Sequence, residues 1–235
     1  GVFGVALATV VLPGLSKKAA NENWQGFQQD IDSALRLVLI IGFPATLGLL
    51  ILSQPLITTL FFYGKFTAHD ASMSSMSLMA YSFGLLGFIL VKILAPAFYA
   101  RKDMKTPVKV AVIALVTNTV LNLILIGPFA HVGLAAATTV SAFVNSGLLY
   151  WYLTKQGVFT PMNGWGKLIV QALIANAALI AFLVIASPTA ESWYAFNVWM
   201  RISWLIGLVM GSMIIYALVL ILLGLNPKKL VNKTS

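Results

Sequence analysis

Residues 168–186 read LIVQALIANAALIAFLVIA and contain no charged side chain. Gln171 and Asn176 are the polar members of this segment. A helix that crosses the hydrocarbon core of a bilayer needs about 20 mostly apolar residues. The segment is therefore predicted to be a transmembrane helix, and the chain around it is expected to be a membrane protein.

The composition of the whole chain agrees with this prediction. Of the 235 residues, 60% are apolar and 9% are charged, and the mean hydropathy is +0.93. An average soluble domain is about 45–50% apolar and about 25% charged. These values exclude an ordinary soluble enzyme, because so few charges could not cover a globule of this size. They also exclude a disordered chain, which combines low hydrophobicity with high net charge.

Further apolar segments predict an all-α, polytopic membrane helix bundle with one partial and six complete spans. The partial span, residues 1–15, begins at Gly1 inside an apolar run, which predicts that the chain is part of a longer protein. An amphipathic polar stretch follows at residues 17–32 and is expected at the membrane interface. The complete spans are predicted at residues 34–62, 76–99, 107–126, 133–153, 168–186 and 202–223.

Basic residues in the connecting loops are distributed very unevenly. Loops on one side of the predicted membrane carry twelve: Lys17, Lys18, Arg36, Arg101, Lys102, Lys105, Lys109, Lys155, Lys167, Lys228, Lys229 and Lys233. Loops on the other side carry Lys65 and Arg201. Basic loops stay in the cytoplasm, so this asymmetry predicts a cytoplasmic C-terminus. It also explains the net charge of +9 without a nucleic-acid partner.

Lys92 is the one ionisable side chain that the predicted spans place deep in the membrane. A charge at the centre of a helix costs about 2.5–3.5 kcal/mol on insertion scales. The Lys92 side chain could extend to the cytoplasmic headgroups. However, side chains tilt toward the helix N-terminus, and the N-terminus of this predicted span lies on the side away from the cytoplasm. We therefore expect Lys92 to face a hydrated cavity, where it would attract an anionic group.

Polar residues recur on one face of two neighbouring spans. The set consists of Asn118, Asn122, Thr138, Ser141 and Asn145. Such a polar seam has two interpretations. It can stabilise the packing of the two helices through interhelical hydrogen bonds, each of which contributes about 0.6 kcal/mol. Alternatively, it can line the path of a substrate or cation.

A stripe of small residues in the last span, Ser203, Gly207 and Gly211, predicts close helix contact, with residues 168–186 as the expected partner.

Residues suited to covalent chemistry or metal binding are scarce. The chain has no cysteine, two histidines and no HExxH motif, which argues against a metal centre. Its six acidic residues fall in loops or interfacial stretches, and no glycine-rich nucleotide-binding loop occurs. We therefore expect no cofactor, no metal and no enzymatic activity.

Three stretches carry a resemblance to a known family. They are GVALATVVLPGLSK at residues 4–17, LFFYGKFTAHD at residues 60–70 and KILAPAFYARKDMKTPVKV at residues 92–110. Together they resemble the MurJ (MviN) lipid II flippase family of the multidrug/oligosaccharidyl-lipid/polysaccharide exporter superfamily. The third stretch is the most specific, and its cytoplasmic motif comprises Arg101, Asp103, Thr106 and Pro107.

The resemblance implies the C-terminal lobe of a transporter with fourteen helices in two lobes. Residues 1–153 would hold the end of helix 8 and helices 9–12. Residues 154–235 would hold the closing pair, helices 13 and 14, with a cytoplasmic tail. In this family the closing pair is proposed to hold the undecaprenyl tail. Some members bind sodium at the places of Asn118, Asn122 and Thr138, but Asn122 stands here where they have an acid, which makes a sodium site doubtful.

The function that follows from the resemblance is transport of lipid II. The protein would move this precursor from the cytoplasmic to the periplasmic leaflet of the bacterial inner membrane by alternating access. The expected partners are lipid II, membrane lipids and the N-terminal half of the same transporter. The alternatives are a polysaccharide-lipid or multidrug exporter of the same superfamily and, from another class, a membrane-bound lipid-modifying enzyme.

Overall fold

Every element of the computed structural model, which describes the backbone of residues 2–225, is helical. A π-helical turn at Val38–Gly42 joins α2 to α3. The predicted basic tail with Lys228, Lys229 and Lys233 lies outside the described residues. The α-helices are α1 (Val2–Ala20), α2 (Trp24–Leu37), α3 (Phe43–Ile51), α4 (Ser53–Phe61), α5 (Ala68–Tyr99), α6 (Lys105–Lys155), α7 (Trp165–Ala186), α8 (Ala190–Ala195) and α9 (Val198–Leu222).

Helix α6 is two helices that fold back on each other. A straight helix of its 51 residues would be about 75 Å long, more than twice the bilayer core of about 30 Å. Ala130 breaks it with φ 46° and ψ −128°. Asn118 then contacts Thr138, and a side chain on Gly133 would collide with the carbonyl oxygen of Leu125. The predicted separate spans at 107–126 and 133–153 are the two arms of this hairpin.

Among the described residues, five helical segments are long and apolar enough to cross a membrane. They are Trp24–Ile51, Ala68–Tyr99, Lys105–Lys155, Trp165–Ala186 and Val198–Leu222. Since the third of these folds into two arms at Ala130, the segments provide six helices or helix arms where the sequence predicts six complete spans, and α1 precedes them. The prediction of an all-α, polytopic membrane bundle is confirmed.

The segment between α2 and α4 differs in detail from the predicted span at 34–62. Asn23 caps α2, its side chain accepting a hydrogen bond from the Gly26 N–H, and the helix continues through the π-helical turn to Ile51. The chain breaks at Leu52 (φ −90°, ψ 11°) before α4 begins. Pro55 explains the break, because it has no N–H to donate to the carbonyl of Ile51.

Two apolar cores hold the helices together. The first lies among α1, α2, α5 and α6, and the second lies among the π-helical turn, α7, α8 and α9. The second core includes Ile40 and Leu52, which belong to the predicted domain at residues 1–153, although most of this core comes from the predicted domain at residues 154–235. The division into 1–153 and 154–235 therefore stays a prediction.

Candidate functional site

Lys92 lies on α5, two turns before the helix ends at Tyr99. It is half-buried, and the next residue, Ile93, is fully buried in the first core. Lys92 therefore lies on a helix that packs in the first core and not in a loop. This position is compatible with the expected cavity-facing role, which stays a prediction.

The polar seam joins the two arms of α6. The side-chain nitrogen of Asn118 donates to the hydroxyls of Thr138 (3.3 Å) and Ser141 (3.4 Å), and the side-chain nitrogen of Asn122 donates to the side-chain oxygen of Asn118 (2.9 Å). Four of the five predicted seam residues thus form one hydrogen-bonded cluster. Asn145 is half-buried on the same arm as Thr138, and within the described part of the chain its side chain has no hydrogen bond.

One acceptor in the seam is unused. The side-chain oxygen of Asn122 is buried and has no hydrogen-bond partner among the described residues. A buried acceptor without a partner costs about 1–3 kcal/mol, so a native structure usually supplies one. The seam thus has unused capacity to bind a donor from a substrate or from another part of the protein.

The family motif of Arg101, Asp103, Thr106 and Pro107 organises the connection from α5 to α6. The Asp103 carboxylate accepts hydrogen bonds from the Thr106 N–H (3.0 Å) and hydroxyl (2.6 Å), and Pro107 is buried in the first turn of α6. Arg101 donates to the side chain of Gln156 (2.9 Å) at the far end of the α6 hairpin. Burial raises the pKa of Asp103, but the bonds from Thr106 outweigh this effect and hold the pKa below its ordinary value.

The small-residue stripe of α9 meets α7 at one point. A side chain on Gly211 would come within 2.6 Å of the Phe182 ring, whereas one on Gly207 would meet nothing within 4 Å. Ser203 and Gly207 line a cavity of about 470 Å³ between the two helices, together with Phe182 and Trp204. The buried face of α9 runs instead through Arg201, Leu208, Ser212, Tyr216 and Leu220.

Comparison with known proteins decides the family. The family model described as "Lipid II flippase MurJ" matches residues 1–204 of this chain. The chain belongs to the lipid II flippase MurJ family. It is 41% identical to the probable lipid II flippase MurJ of Vibrio cholerae over 235 residues, which is all of this chain and 45% of the relative. The probable lipid II flippase MurJ of Haemophilus influenzae is 38% identical over 99% of this chain and 47% of its own length.

A solved structure of the lipid II flippase MurJ, in an inward closed conformation, has the same fold. It matches 95% of this chain and 43% of its own chain with a TM-score of 0.71 at 25% identity. The chain thus spans about half the length of the MurJ proteins that it matches. These matches support the MurJ family over the exporter and membrane-enzyme alternatives.

The seam lacks the carboxylate that the resemblance places at a sodium site of some family members, because Asn122 stands at that position. In the described structure its oxygens all come from neutral amides and hydroxyls, and hard cations prefer carboxylates. The Asn118 amide also directs its N–H groups at the hydroxyl of Thr138, which belongs to those sodium-site positions, and at the hydroxyl of Ser141, which does not. Elsewhere among the described residues, no group of three or more His, Cys, Asp or Glu side chains could hold another metal.

Three buried polar residues were not predicted from the sequence. Arg201, which the sequence places in a loop, lies in the first turn of α9 and is 5% exposed, so the loop assignment is wrong. Asp32, expected at the interface, is 3% exposed on α2. Tyr216 is buried on α9, and its hydroxyl donates to the Ile40 carbonyl in the π-helical turn (2.8 Å). For Asp32 a signal existed, because Arg36 follows four residues later on the same helix face.

Proposed function

We propose that this chain forms the C-terminal part of a lipid II flippase of the bacterial inner membrane. The observation that carries the proposal is the match along the entire chain to a relative named as a probable lipid II flippase. In the proposed transport the precursor moves from the cytoplasmic to the periplasmic leaflet by alternating access. The N-terminal lobe of the same transporter supplies the opposite wall of the cavity.

The physical problem in this transport is the head group. A pyrophosphate with sugars and a peptide cannot enter the hydrocarbon core without large desolvation costs, so it needs a polar path. Lys92 supplies a positive charge for the pyrophosphate, and the seam of Asn118, Asn122, Thr138, Ser141 and Asn145 supplies hydrogen-bonding groups. The undecaprenyl tail needs no such path and stays in the apolar groove between α7 and α9.

Flipping a lipid forms and breaks no covalent bond, so the chain needs neither a catalytic residue nor a cofactor. The uneven distribution of basic loop residues supports a cytoplasmic C-terminus. The Asp103–Thr106 cap and the Arg101–Gln156 contact then lie on the cytoplasmic side. There they fix the loop from α5 to α6 against the end of α6.

Replacement of Lys92 tests the cavity charge. In the complete gene product, Lys92→Ala should fail to support growth of a strain depleted of its own flippase, because the head group loses its positive partner. Lys92→Arg, which keeps the charge, should support growth at least partly. Expression of both variants is compared by immunoblot, and normal growth of Lys92→Ala at normal expression would contradict the role.

A direct assay tests the function itself. Cells that depend on the complete gene product should present lipid II on the periplasmic face, where an added enzyme that cleaves exposed lipid II can reach it. Depletion of the protein should remove that accessible pool while the total amount of lipid II rises. An unchanged accessible pool after depletion would contradict the proposed function.

A further inference from the structure

The loop from α6 to α7 contains the one asparagine of this chain that a glycine follows, Asn163–Gly164. The pair directly precedes α7, and Gly164 is the N-cap of that helix with φ 98° and ψ −1°. Both residues are exposed. An asparagine can lose its side-chain amide when the main-chain nitrogen of the next residue attacks its side-chain carbonyl carbon. Glycine favours this attack, because it has no Cβ to obstruct the approach.

The two groups that must react are not held by other contacts. Within the part of the chain that the structure describes, neither the side-chain amide of Asn163 nor the main-chain N–H of Gly164 has a hydrogen-bond partner. Asn23 and Asn197 differ, because the side-chain oxygen of each accepts a hydrogen bond from the N–H three residues later. The side chain of Asn163 is therefore free to turn toward the Gly164 nitrogen.

The Arg36 guanidinium lies against the peptide group that must react. Its Nη2 donates to the main-chain oxygen of Asn163 (3.0 Å), and its Nη1 is 3.6 Å from the place of a Cβ built on Gly164. The ion pair with Asp32 uses Nε, so it leaves this contact in place. The peptide nitrogen attacks as an anion, and resonance places much of the negative charge on the Asn163 oxygen. A charged donor at that oxygen stabilises the anion more than the neutral peptide.

We propose that Asn163–Gly164 is a site of spontaneous deamidation, and that Arg36 promotes the reaction. Solvent base removes the proton from the Gly164 nitrogen, which then forms a bond to Cγ of Asn163. The bond from Cγ to Nδ2 breaks, and Nδ2 takes up a proton from water and leaves as ammonia, which closes a five-membered succinimide ring. Water then opens the ring at either of its carbonyl groups and gives aspartate or isoaspartate. Water is the one co-reactant in this sequence.

The reaction changes how α7 is attached to α2. The Asp32 carboxylate accepts hydrogen bonds from Nε1 of Trp165 (2.7 Å) and from the N–H of Met162 (3.1 Å), on either side of the reacting pair. Both products add a negative charge at a residue whose main-chain oxygen binds Arg36, so they compete with Asp32 for the guanidinium. Isoaspartate also lengthens the main chain by one atom. The start of α7 is then held less firmly, whichever lipid the protein transports.

Peptide mapping of the complete gene product tests the site. Cleavage after Lys155 and Lys167 releases residues 156–167, in which Asn163 is the one asparagine. After the folded protein is incubated at mildly alkaline pH, this peptide should show the mass change that replaces NH2 by OH. Part of it should also become a substrate for a methyltransferase specific for isoaspartate. The rate should rise with pH, because the deprotonated nitrogen is the reactive form.

Two controls accompany the map. Asn163→Gln would have to form a six-membered ring, so residue 163 should stay unmodified in this variant. Asn21 is also exposed but precedes Glu22, whose side chain obstructs the attack, and it should stay unmodified over the same period. A synthetic peptide of residues 156–167 gives the reference rate without the fold.

A double variant tests the role of Arg36. Asp32→Asn with Arg36→Gln removes both charges and keeps hydrogen-bonding groups at both positions. It should slow the reaction about fivefold, because a neutral donor stabilises the peptide anion less than a charged one. If Arg36 only restrained the loop, the same variant would react faster. The proposal is overturned if the folded wild type stays unmodified while the synthetic peptide reacts, or if the folded double variant reacts at least as fast as the wild type.

Discussion

At the scale of single residues, Arg201 carries a charge into the interior by binding backbone carbonyls. Its guanidinium donates to Trp193 (2.9 Å) and Tyr194 (3.0 Å) of α8, and to Thr58 (3.4 Å) and Phe62 (3.2 Å) at the end of α4. The last carbonyls of a helix have no partner within the helix and carry partial negative charge. Arg201 therefore ties α4 and α8 to α9.

Replacement of Arg201 should destabilise the protein strongly. Arg201→Met removes the donors and leaves these carbonyls buried, which should cost about 2–4 kcal/mol, since bonds to charged groups contribute about 1.5–3 kcal/mol each and are not additive. Arg201→Lys keeps the charge but lacks the planar guanidinium, so its stability should lie between that of the wild type and that of Arg201→Met. Thermal unfolding in detergent measures the effect, and an unchanged Tm for Arg201→Met would contradict the structural role.

Asp103 gives the protein a pH-dependent contribution to stability. Because hydrogen bonds from Thr106 lower its pKa in the folded state, the contribution is complete above the ordinary value of 3.8 and is lost as the pH falls through the folded-state pKa. Asp103→Asn should therefore lower the Tm at pH 7 by a few degrees, and the difference from the wild type should shrink near pH 3. Equal differences at both pH values would show that the carboxylate charge does not matter.

At the scale of elements, α5 and the second arm of α6 pack with almost no space between their backbones. A side chain on Gly84 would lie 2.8 Å from the Thr139 hydroxyl, and one on Gly87 would lie 3.0 Å from the carbonyl carbon of Ala142. Small residues let transmembrane helices approach this closely. The resulting van der Waals contacts stabilise helix association in a bilayer, where the hydrophobic effect does not.

Gly87→Ala tests this contact. The added methyl group meets backbone atoms that cannot move aside, so the helices must separate, at a cost of about 1–3 kcal/mol. Gly147→Ala, on the same arm of α6, meets nothing within 4 Å and should leave the Tm unchanged or slightly higher. A Tm of Gly87→Ala equal to that of Gly147→Ala would contradict the close packing.

At the scale of the whole molecule, the loops divide into a basic set and a nearly neutral set. Lys102 is exposed in the loop from α5 to α6, and Glu191 is exposed between α7 and α9. If the basic loops are cytoplasmic, these two positions lie on opposite sides of the membrane.

Cysteine labelling checks this orientation in the complete gene product, after any cysteine outside these 235 residues, which contain none, is replaced by serine. In intact spheroplasts a membrane-impermeant maleimide should label Glu191→Cys but label Lys102→Cys only after permeabilisation. Permeabilised samples of both variants control for reactivity. Labelling of Lys102→Cys in intact spheroplasts would reverse the predicted topology.

Length and apolar runs were sufficient to predict separate spans at 107–126 and 133–153, which are the two arms of α6, because each span must satisfy its own backbone hydrogen bonds in lipid. The same reasoning brought Asn118, Asn122, Thr138 and Ser141 to one face. It did not locate the break at Leu52, although Pro55 is a local cause of it, or the π-helical turn at Val38–Gly42.

The amino-acid sequence was enough to assign a helical membrane bundle, since a bilayer admits few solutions for so apolar a chain. The MurJ family followed from the resemblance of three stretches, at residues 4–17, 60–70 and 92–110. The three-dimensional packing was needed to learn which polar groups are buried and how they are paired. Arg201, Asp32 and Tyr216 find their partners on segments distant in the chain, at Phe62, Trp165 and Ile40. Such pairings depend on the packing of whole helices, and local spacing carries no record of them.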